Sequence, residues 1–213
     1  MSARAEALPR SLILGVLVMT LVVLLLGGAV VAVKLRPDGS TAPTAERSLG
    51  DWEAAVAEDP ESDVAQTGLG LALLEVGRTS EARAAFEEAL RLEPDNWMAN
   101  FQMGLLLRDE DPDTAVEMLD AAARNAAPGD KAVPLIALGE FLLSRDDAEG
   151  AKAAFRRSIA DVPYLFDSHV GLARALEQLG ERKAALEEYR SAERFAPGHP
   201  DVVAAIERLG GSD

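Results

Sequence analysis

The chain has 213 residues and a formal net charge of −15, from 36 acidic and 21 basic residues. Such a field repels a phosphate backbone and an anionic lipid surface, so neither nucleic acid nor such a surface is an expected partner of the soluble part. The sequence has no cysteine and is rich in alanine and leucine, which excludes disulfides and cysteine-based zinc sites and favours helix over sheet.

The N-terminal part predicts a membrane anchor. After a short tail over residues 1–10, a long uncharged run extends from Ser11 to Val33. At about 1.5 Å per residue, a helix over this run spans roughly 34 Å, enough for a hydrocarbon core of about 30 Å. A cleaved signal peptide would have a shorter apolar region and a small-residue cleavage site. We therefore predict a retained transmembrane helix over 11–34.

The orientation of this helix is not fixed by the flanking charges. Arg4 and Arg10 precede it, and Lys34 and Arg36 follow it, so the positive charges balance. A short N-terminal tail that stays inside is the simpler arrangement. We expect a single-pass protein of the cell inner or plasma membrane, with its soluble domain outside the cytoplasm (periplasmic or extracytoplasmic). Residues 35–45 contain Pro, Gly, Ser and Thr and predict a flexible linker.

The rest of the sequence repeats with a fixed period. The spacing from Pro94 to Pro163 is one residue more than twice the spacing from Pro163 to Pro197. Such a period indicates a solenoid of helix pairs, in which each unit buries its face against its neighbours. The same spacings relate a small and an aromatic residue before each proline: Ala82 with Phe86, Ala151 with Phe155, and Ala185 with Tyr189.

This pattern resembles the tetratricopeptide repeat family, in which a large residue and a small one occupy the first helix of each pair. Here these are Leu69-Gly70, Met103-Gly104, Leu138-Gly139 and Leu172-Ala173. The resemblance implies an all-α fold, a solenoid of about four helix pairs. The expected parts are a degenerate half-repeat over 46–62, four repeats over 63–96, 97–131, 132–165 and 166–199, and a capping helix with its tail over 200–213.

Each repeated position has a packing role. The small residue lies where two helices cross closely, and Phe86, Leu119, Phe155 and Tyr189 fill the space between units. The prolines end the second helices, because proline cannot continue the hydrogen-bond ladder. Two departures from the family pattern stand out. The turn near Asp111 is one residue short, and the usual first-helix tryptophan is replaced by Gln66, Asn100, Leu135 and His169.

No constellation for chemistry is evident. The two histidines, His169 and His199, have no metal-binding or nucleophile-activating spacing. The acidic pairs Glu87-Glu88 and Glu187-Glu188 are expected on solvated helix faces, and the glycines do not form a phosphate-binding loop. We therefore expect no enzyme activity, no catalytic residue, no metal and no cofactor.

The resemblance also implies a concave groove lined by the first helices, which would bind a protein partner. Lysine is absent from the groove offsets, so the carboxylate clamp of some family members is not predicted. An apolar groove suits an amphipathic helix or an extended apolar segment. Alternatively, the half-repeat or the C-terminal helix covers it. The predicted groove residues are Thr67, Leu71, Leu74, Phe101, Leu105, Arg108, Ile136, Glu140, Leu143, Val170, Arg174 and Glu177.

These features together predict a membrane-anchored scaffold that binds and positions another protein. Anchored relatives of this architecture act in cytochrome c maturation or as export-associated chaperones, and both roles fit an anchor followed by repeats. The competing hypothesis is a structural component that self-associates through the span and the repeats, a homo-oligomer with no separate client.

Overall fold

The computed structural model describes residues 44–210, and in that range it contains ten α-helices and no strand. The helices are α1 (Thr44–Glu58), α2 (Asp63–Glu75), α3 (Thr79–Leu92), α4 (Trp97–Leu107), α5 (Pro112–Asn125), α6 (Ala132–Ser144), α7 (Ala148–Asp161), α8 (Phe166–Gln178), α9 (Arg182–Phe195) and α10 (Pro200–Gly210).

The helices form a solenoid. Each helix packs against the one before it and the one after it in the chain, and α6 also packs against α8. The pairs α2–α3, α4–α5, α6–α7 and α8–α9 are thus stacked in sequence order, with α1 before them and α10 after them. The prediction of an all-α solenoid of helix pairs is confirmed.

Four helices begin at a polar residue that caps the first turn. The side chains of Ser62, Asn96, Asp111 and Asp147 each accept a hydrogen bond from a backbone N–H three residues further on. These bonds satisfy donors that have no partner inside the helix. The starts of these four helices are therefore specified locally, by the capping residue.

Proline ends three of the second helices, as predicted. Pro94, Pro163 and Pro197 lie two residues after the last residues of α3, α7 and α9. The residue before each proline is outside the helical region, with φ between −136° and −134° and ψ between 81° and 96°. A residue before proline is sterically excluded from the helical region, so the same local constraint closes each of these units.

The second repeat is irregular in its first helix and in the turn that follows. Gly77, Asp146 and Gly180 have positive φ angles of 78°, 61° and 76° and join the two helices of the other units through turns of three residues. The turn between α4 and α5 has four residues, 108–111, none with positive φ, and leads into the cap Asp111 and then Pro112. The helix α4 has 11 residues, whereas α2, α6 and α8 have 13. The repeat is therefore shortened in α4, and the prediction of a turn one residue short is wrong.

Each of the first three units is held by a small residue against a large one. A Cβ added to Gly70 would lie 2.5–2.8 Å from ring atoms of Phe86, and one added to Gly139 would lie 2.7–2.9 Å from ring atoms of Phe155. Gly104 has the same relation to Leu119. The three large side chains are completely buried. The packing roles predicted from the period are confirmed for these pairs.

Two further glycines form contacts that the sequence analysis did not identify. A Cβ on Gly171 would lie within 2.7 Å of three ring atoms of Phe155, and one on Gly68 would overlap the indole of Trp52. Both glycines lie in the first helix of the following pair. The signal was present, because the spacing from Trp52 to Gly68 equals the spacing from Phe155 to Gly171. Trp52 on α1 thus meets α2 as Phe155 on α7 meets α8.

The predicted transmembrane helix over 11–34 and the linker before residue 44 lie outside the described residues. Across 44–210, none of the helices has both the length and the apolar character needed to cross a membrane.

Candidate protein-binding groove on the first helices

The first helices of three consecutive pairs present apolar side chains that are only partly covered. Leu71, Leu74, Phe101, Leu105 and Ile136 are half-buried and pack against the core. All five belong to the predicted groove. We call these five side chains the apolar strip. They lie on α2, α4 and α6, so the strip crosses the unit boundaries.

Two valines beside the strip were missed by the sequence analysis. Val64 on α2 and Val133 on α6 are exposed to 63% and 55%. Each is the second residue of its helix, an offset occupied by Met98 on α4 and Asp167 on α8. Comparing this offset between units would have found them. Single exposed valines are common, but these two add apolar surface at the same offset of two first helices.

Two of the predicted groove residues are buried. Leu143 is 5% exposed and Thr67 is 7% exposed. The Thr67 hydroxyl donates to the backbone carbonyl of Asp63 at 2.7 Å and accepts a bond from Asn96 Nδ2 at 3.0 Å. Asn96 Nδ2 also donates to the Asp63 carboxylate at 2.7 Å. Thr67 therefore joins α2 to the start of α4, and its side chain is not accessible in this structure.

The other end of the predicted groove is polar. Val170 is half-buried, whereas Glu140 and Arg174 are exposed, as is Arg108, which directly follows α4 beside the strip. Among them, the Arg108 Nε lies 3.4 Å from the backbone carbonyl of Leu105. Charges at an exposed rim affect orientation and specificity of binding more than affinity.

Glu177, the last predicted groove residue, is engaged within the protein. Its carboxylate accepts two hydrogen bonds from Arg208 of α10, at 2.6 and 3.0 Å, and one from the Tyr189 hydroxyl at 2.7 Å. These bonds hold the pKa of Glu177 below its ordinary value, Arg208 contributing most. Burial raises the pKa of Tyr189, and its bond to Glu177 acts in the same direction. The capping helix thus covers this end, which was weighed as an alternative for the groove.

A cleft adjoins the apolar strip where α1, α2 and α4 meet. It has a volume of about 400 Å³. Its lining is mostly apolar and includes both tryptophans of the sequence, Trp52 and Trp97, with Val64 and Leu71 of α2. Two carboxylates, Asp63 and Asp95, also line it. The sequence analysis missed this cleft, because it depends on how three helices meet.

The two histidines lie in an aromatic cluster at the C-terminal end. His169 is 7% exposed, and its ring lies 5.3 Å from that of Phe195. Its Nδ1 is 2.7 Å from a carboxylate oxygen of Glu188, and its Nε2 is 3.0 Å from the carbonyl of Pro163. The expectation of a solvated Glu188 was therefore wrong, because this carboxylate is half-buried against the ring. His199 packs on Phe166 at 4.9 Å.

Over residues 44–210 the structure has no group of three or more His, Asp or Glu side chains arranged to hold a metal ion. The exposed member of each predicted acidic pair, Glu87 and Glu187, lies on the surface of a second helix.

The fold is thus an α-solenoid of stacked helix pairs. The family model described as tetratricopeptide repeat matches residues 45–96, 67–131 and 136–200. These matches cover well over half of the sequence, so the chain belongs to the tetratricopeptide repeat family.

Solved structures show the same fold. The chain is similar to YrrB, described as a TPR protein with an unusual peptide-binding site, with a TM-score of 0.65, 19% identity and coverage of 75% of this chain and 82% of that one. It is similar to PilF of Pseudomonas aeruginosa, with a TM-score of 0.68, 18% identity and coverage of 78% and 76%. MamA from Desulfovibrio magneticus RS-1 has a TM-score of 0.61, 21% identity and coverage of 74% and 88%. None of the curated proteins matches this sequence.

Proposed function

We propose that this protein is a membrane-anchored scaffold whose repeats bind a helix or an extended apolar segment of a partner protein. The observation that carries the proposal is the apolar strip, whose five side chains are only partly buried on the first helices of consecutive units. An amphipathic helix binds such a surface by placing apolar residues at spacings of three and four along it. That YrrB is described as having a peptide-binding site supports a peptide ligand for this fold.

The strip is better suited to a partner than to the protein's own helices. Its five side chains remain only partly buried although α1 and α10 are both in place. The capping helix contacts Glu177 through Arg208. Glu177 lies at the end of the groove away from the strip. Among the other predicted groove residues Thr67 and Leu143 are buried, whereas the five side chains of the strip are not.

The anchor and its location are part of the same proposal. An uncharged run from Ser11 to Val33 would hold the repeats at a membrane. In this proposal the repeat domain lies outside the cytoplasm. A scaffold in that place would present its partner to a membrane-bound assembly.

Substitution of Leu105 tests the groove. Leu105→Glu places a charge in the centre of the apolar strip, and losing one buried leucine contact costs about 2 kcal/mol, roughly thirtyfold in affinity. Partners that co-purify with the full-length protein from native membranes should be lost, while far-UV circular dichroism stays unchanged. Tyr164→Glu is the matched control, because Tyr164 is 68% exposed in the turn between α7 and α8. Retention of the same partners by Leu105→Glu would disprove the groove.

Two pathways follow from the family architecture and are separable by experiment. A role in cytochrome c maturation requires binding of Cys-x-x-Cys-His peptides. A role as an export-associated chaperone requires co-purification with the protein-export channel. Each binding experiment is repeated with Leu105→Glu, because only binding that this variant loses supports either pathway.

The alternative function is self-association without a client. It predicts a mass for the purified protein that rises with concentration. A mass that stays monomeric over a wide concentration range would count against it.

A further inference from the structure

The cleft beside the apolar strip has an unusual combination of groups. Both tryptophans of the sequence, Trp52 and Trp97, line it, and each is half-buried, so part of each indole remains accessible. Val64 and Leu71 of α2 also line it. An accessible indole offers an electron-rich face, which attracts a cation within about 6 Å.

The charged groups that line the cleft are all negative. The Asp63 carboxylate accepts a hydrogen bond from Asn96, and the Asp95 carboxylate accepts one from Asn125 at 3.0 Å. Both donors are neutral amides. Across the described residues neither aspartate forms an ion pair, whereas many of the other acidic side chains pair with arginine or lysine.

The two helices that form most of the cleft do not supply a cation either. The sequences of α2 and α4 contain no lysine and no arginine, and the one arginine of α1, Arg47, does not line the cleft. The net charge of the whole chain is −15, which draws cationic ligands towards the protein and disfavours acidic ones. Indole faces, apolar side chains and unpaired carboxylates together match a lysine or arginine side chain, whose stem is apolar and whose head is charged.

We propose that this cleft binds a lysine or arginine side chain of the partner segment whose apolar residues occupy the apolar strip. The proposal rests on the proposed function, because Leu71 belongs to both the cleft and the strip. The partner is thus an apolar segment that carries a basic residue at one end. The preference is the reverse of a carboxylate clamp, which binds an acidic terminus through basic residues.

Random peptides long enough for several helical turns, displayed and selected on the full-length protein in detergent micelles, test the proposal. Peptides retained by the wild-type protein and lost by Leu105→Glu define groove binders. We expect these to carry lysine or arginine beside apolar residues. The double variant Asp63→Asn, Asp95→Asn should no longer enrich the basic residue. Glu117→Gln, which removes an exposed carboxylate from α5, should enrich the same peptides as wild type.

The affinity of one selected peptide gives the quantitative test. Replacing its arginine by citrulline keeps the shape and removes the charge, and should weaken binding to the wild-type protein about tenfold. The same replacement should have little effect on binding to the double aspartate variant. Trp52 and Trp97 are the only tryptophans in the chain, so intrinsic fluorescence reports directly on the cleft.

The possible failures are distinct. Groove binders without a basic residue, or with equal affinity for the arginine and citrulline forms, would overturn the proposal for the cleft and leave the groove intact. If no peptide distinguishes the wild-type protein from Leu105→Glu, the groove and the cleft both fail. Circular dichroism shows whether the double aspartate variant is folded. If it is unfolded, the affinities of the arginine and citrulline peptides for the wild-type protein test the proposal alone.

Discussion

Gly171 provides the sharpest test of how the units are held together. It lies on α8 against the ring of Phe155, which is completely buried and is also bounded by Gly139 on α6. Gly171→Ala adds one methyl group, whose carbon would lie within 2.7 Å of three ring atoms. Carbon atoms in contact are normally about 3.5–4.0 Å apart, so the ring would have to move by about 1 Å.

The expected size of the effect is a balance of two terms. Alanine in a helix interior is more favourable than glycine by about 1 kcal/mol. Overpacking of a filled core costs about 1–3 kcal/mol, and the upper part of that range applies because the ring has Gly139 at its other side. We expect the free energy of unfolding to fall by about 1–2 kcal/mol.

Urea denaturation followed by circular dichroism measures this change. Gly50→Ala is the matched control, because Gly50 lies in α1 with no atom within 4 Å of an added Cβ, and it should stabilise by up to about 1 kcal/mol. Phe155→Leu makes room for the methyl group. The cost of Gly171→Ala should therefore shrink in the Phe155→Leu background, with a coupling energy of about 0.5–3 kcal/mol. Full additivity of the two changes, or a Gly171→Ala protein as stable as wild type, would refute the reasoning.

Three further predictions concern single positions. Asp146→Gly should raise the free energy of unfolding by about 0.5 kcal/mol, since relief of the left-handed backbone conformation outweighs the entropy cost of glycine. A lower stability of this variant, measured by urea denaturation, would contradict the prediction. Ser158 and Ser168 are completely buried and their hydroxyls lie 2.7 Å apart. Either single change to alanine should lower the free energy of unfolding by about 1–3 kcal/mol, and the double change should lower it much less. Equal losses of stability in all three variants would disprove the pairing. The pKa of Glu177 is lowered in the folded state. The Glu177 carboxylate should therefore contribute to the free energy of unfolding above its unfolded-state pKa of about 4.3, and this contribution should vanish as the pH falls through the folded-state pKa. The stability difference between Glu177→Gln and wild type, about 1–2 kcal/mol at neutral pH, should disappear on acidification, and a difference that persists would rule this out.

The sequence was most informative where a contact recurs in each unit. Pro94 and Pro163 end their helices, and Phe86 packs on Gly70, as the period predicted. A contact that is repeated from one unit to the next leaves a periodic pattern, which is why one sequence sufficed to find it. Contacts that occur once leave no such pattern. The bond from Asn96 to Asp63, and the cleft beside it, were therefore found only in the structure.

Site residues were harder to predict than core residues for a related reason. The offset that places Phe101 and Ile136 on the strip places Thr67 in the interior, and the offset that places Leu74 on the strip places Leu143 in the interior. Thr67 is buried where its hydroxyl accepts a hydrogen bond from Asn96 at the start of α4. Similarly, nothing in the local sequence around Glu177 indicates that Arg208, far along the chain on α10, binds its carboxylate.

The contacts between large residues and glycines also fix the order of the units. Phe155 meets glycine on both of its neighbouring first helices, Gly139 and Gly171. At the preceding junction the large residue is Leu119, and the position that Gly171 occupies in α8, the sixth residue of the helix, is occupied in α6 by Ala137. Each junction is therefore shaped for its own pair of units. Excising the third repeat would bring Leu119 against Gly171 and leave a void where the Phe155 ring had been. Although its units look alike in sequence, this array cannot be shortened or shuffled like interchangeable modules.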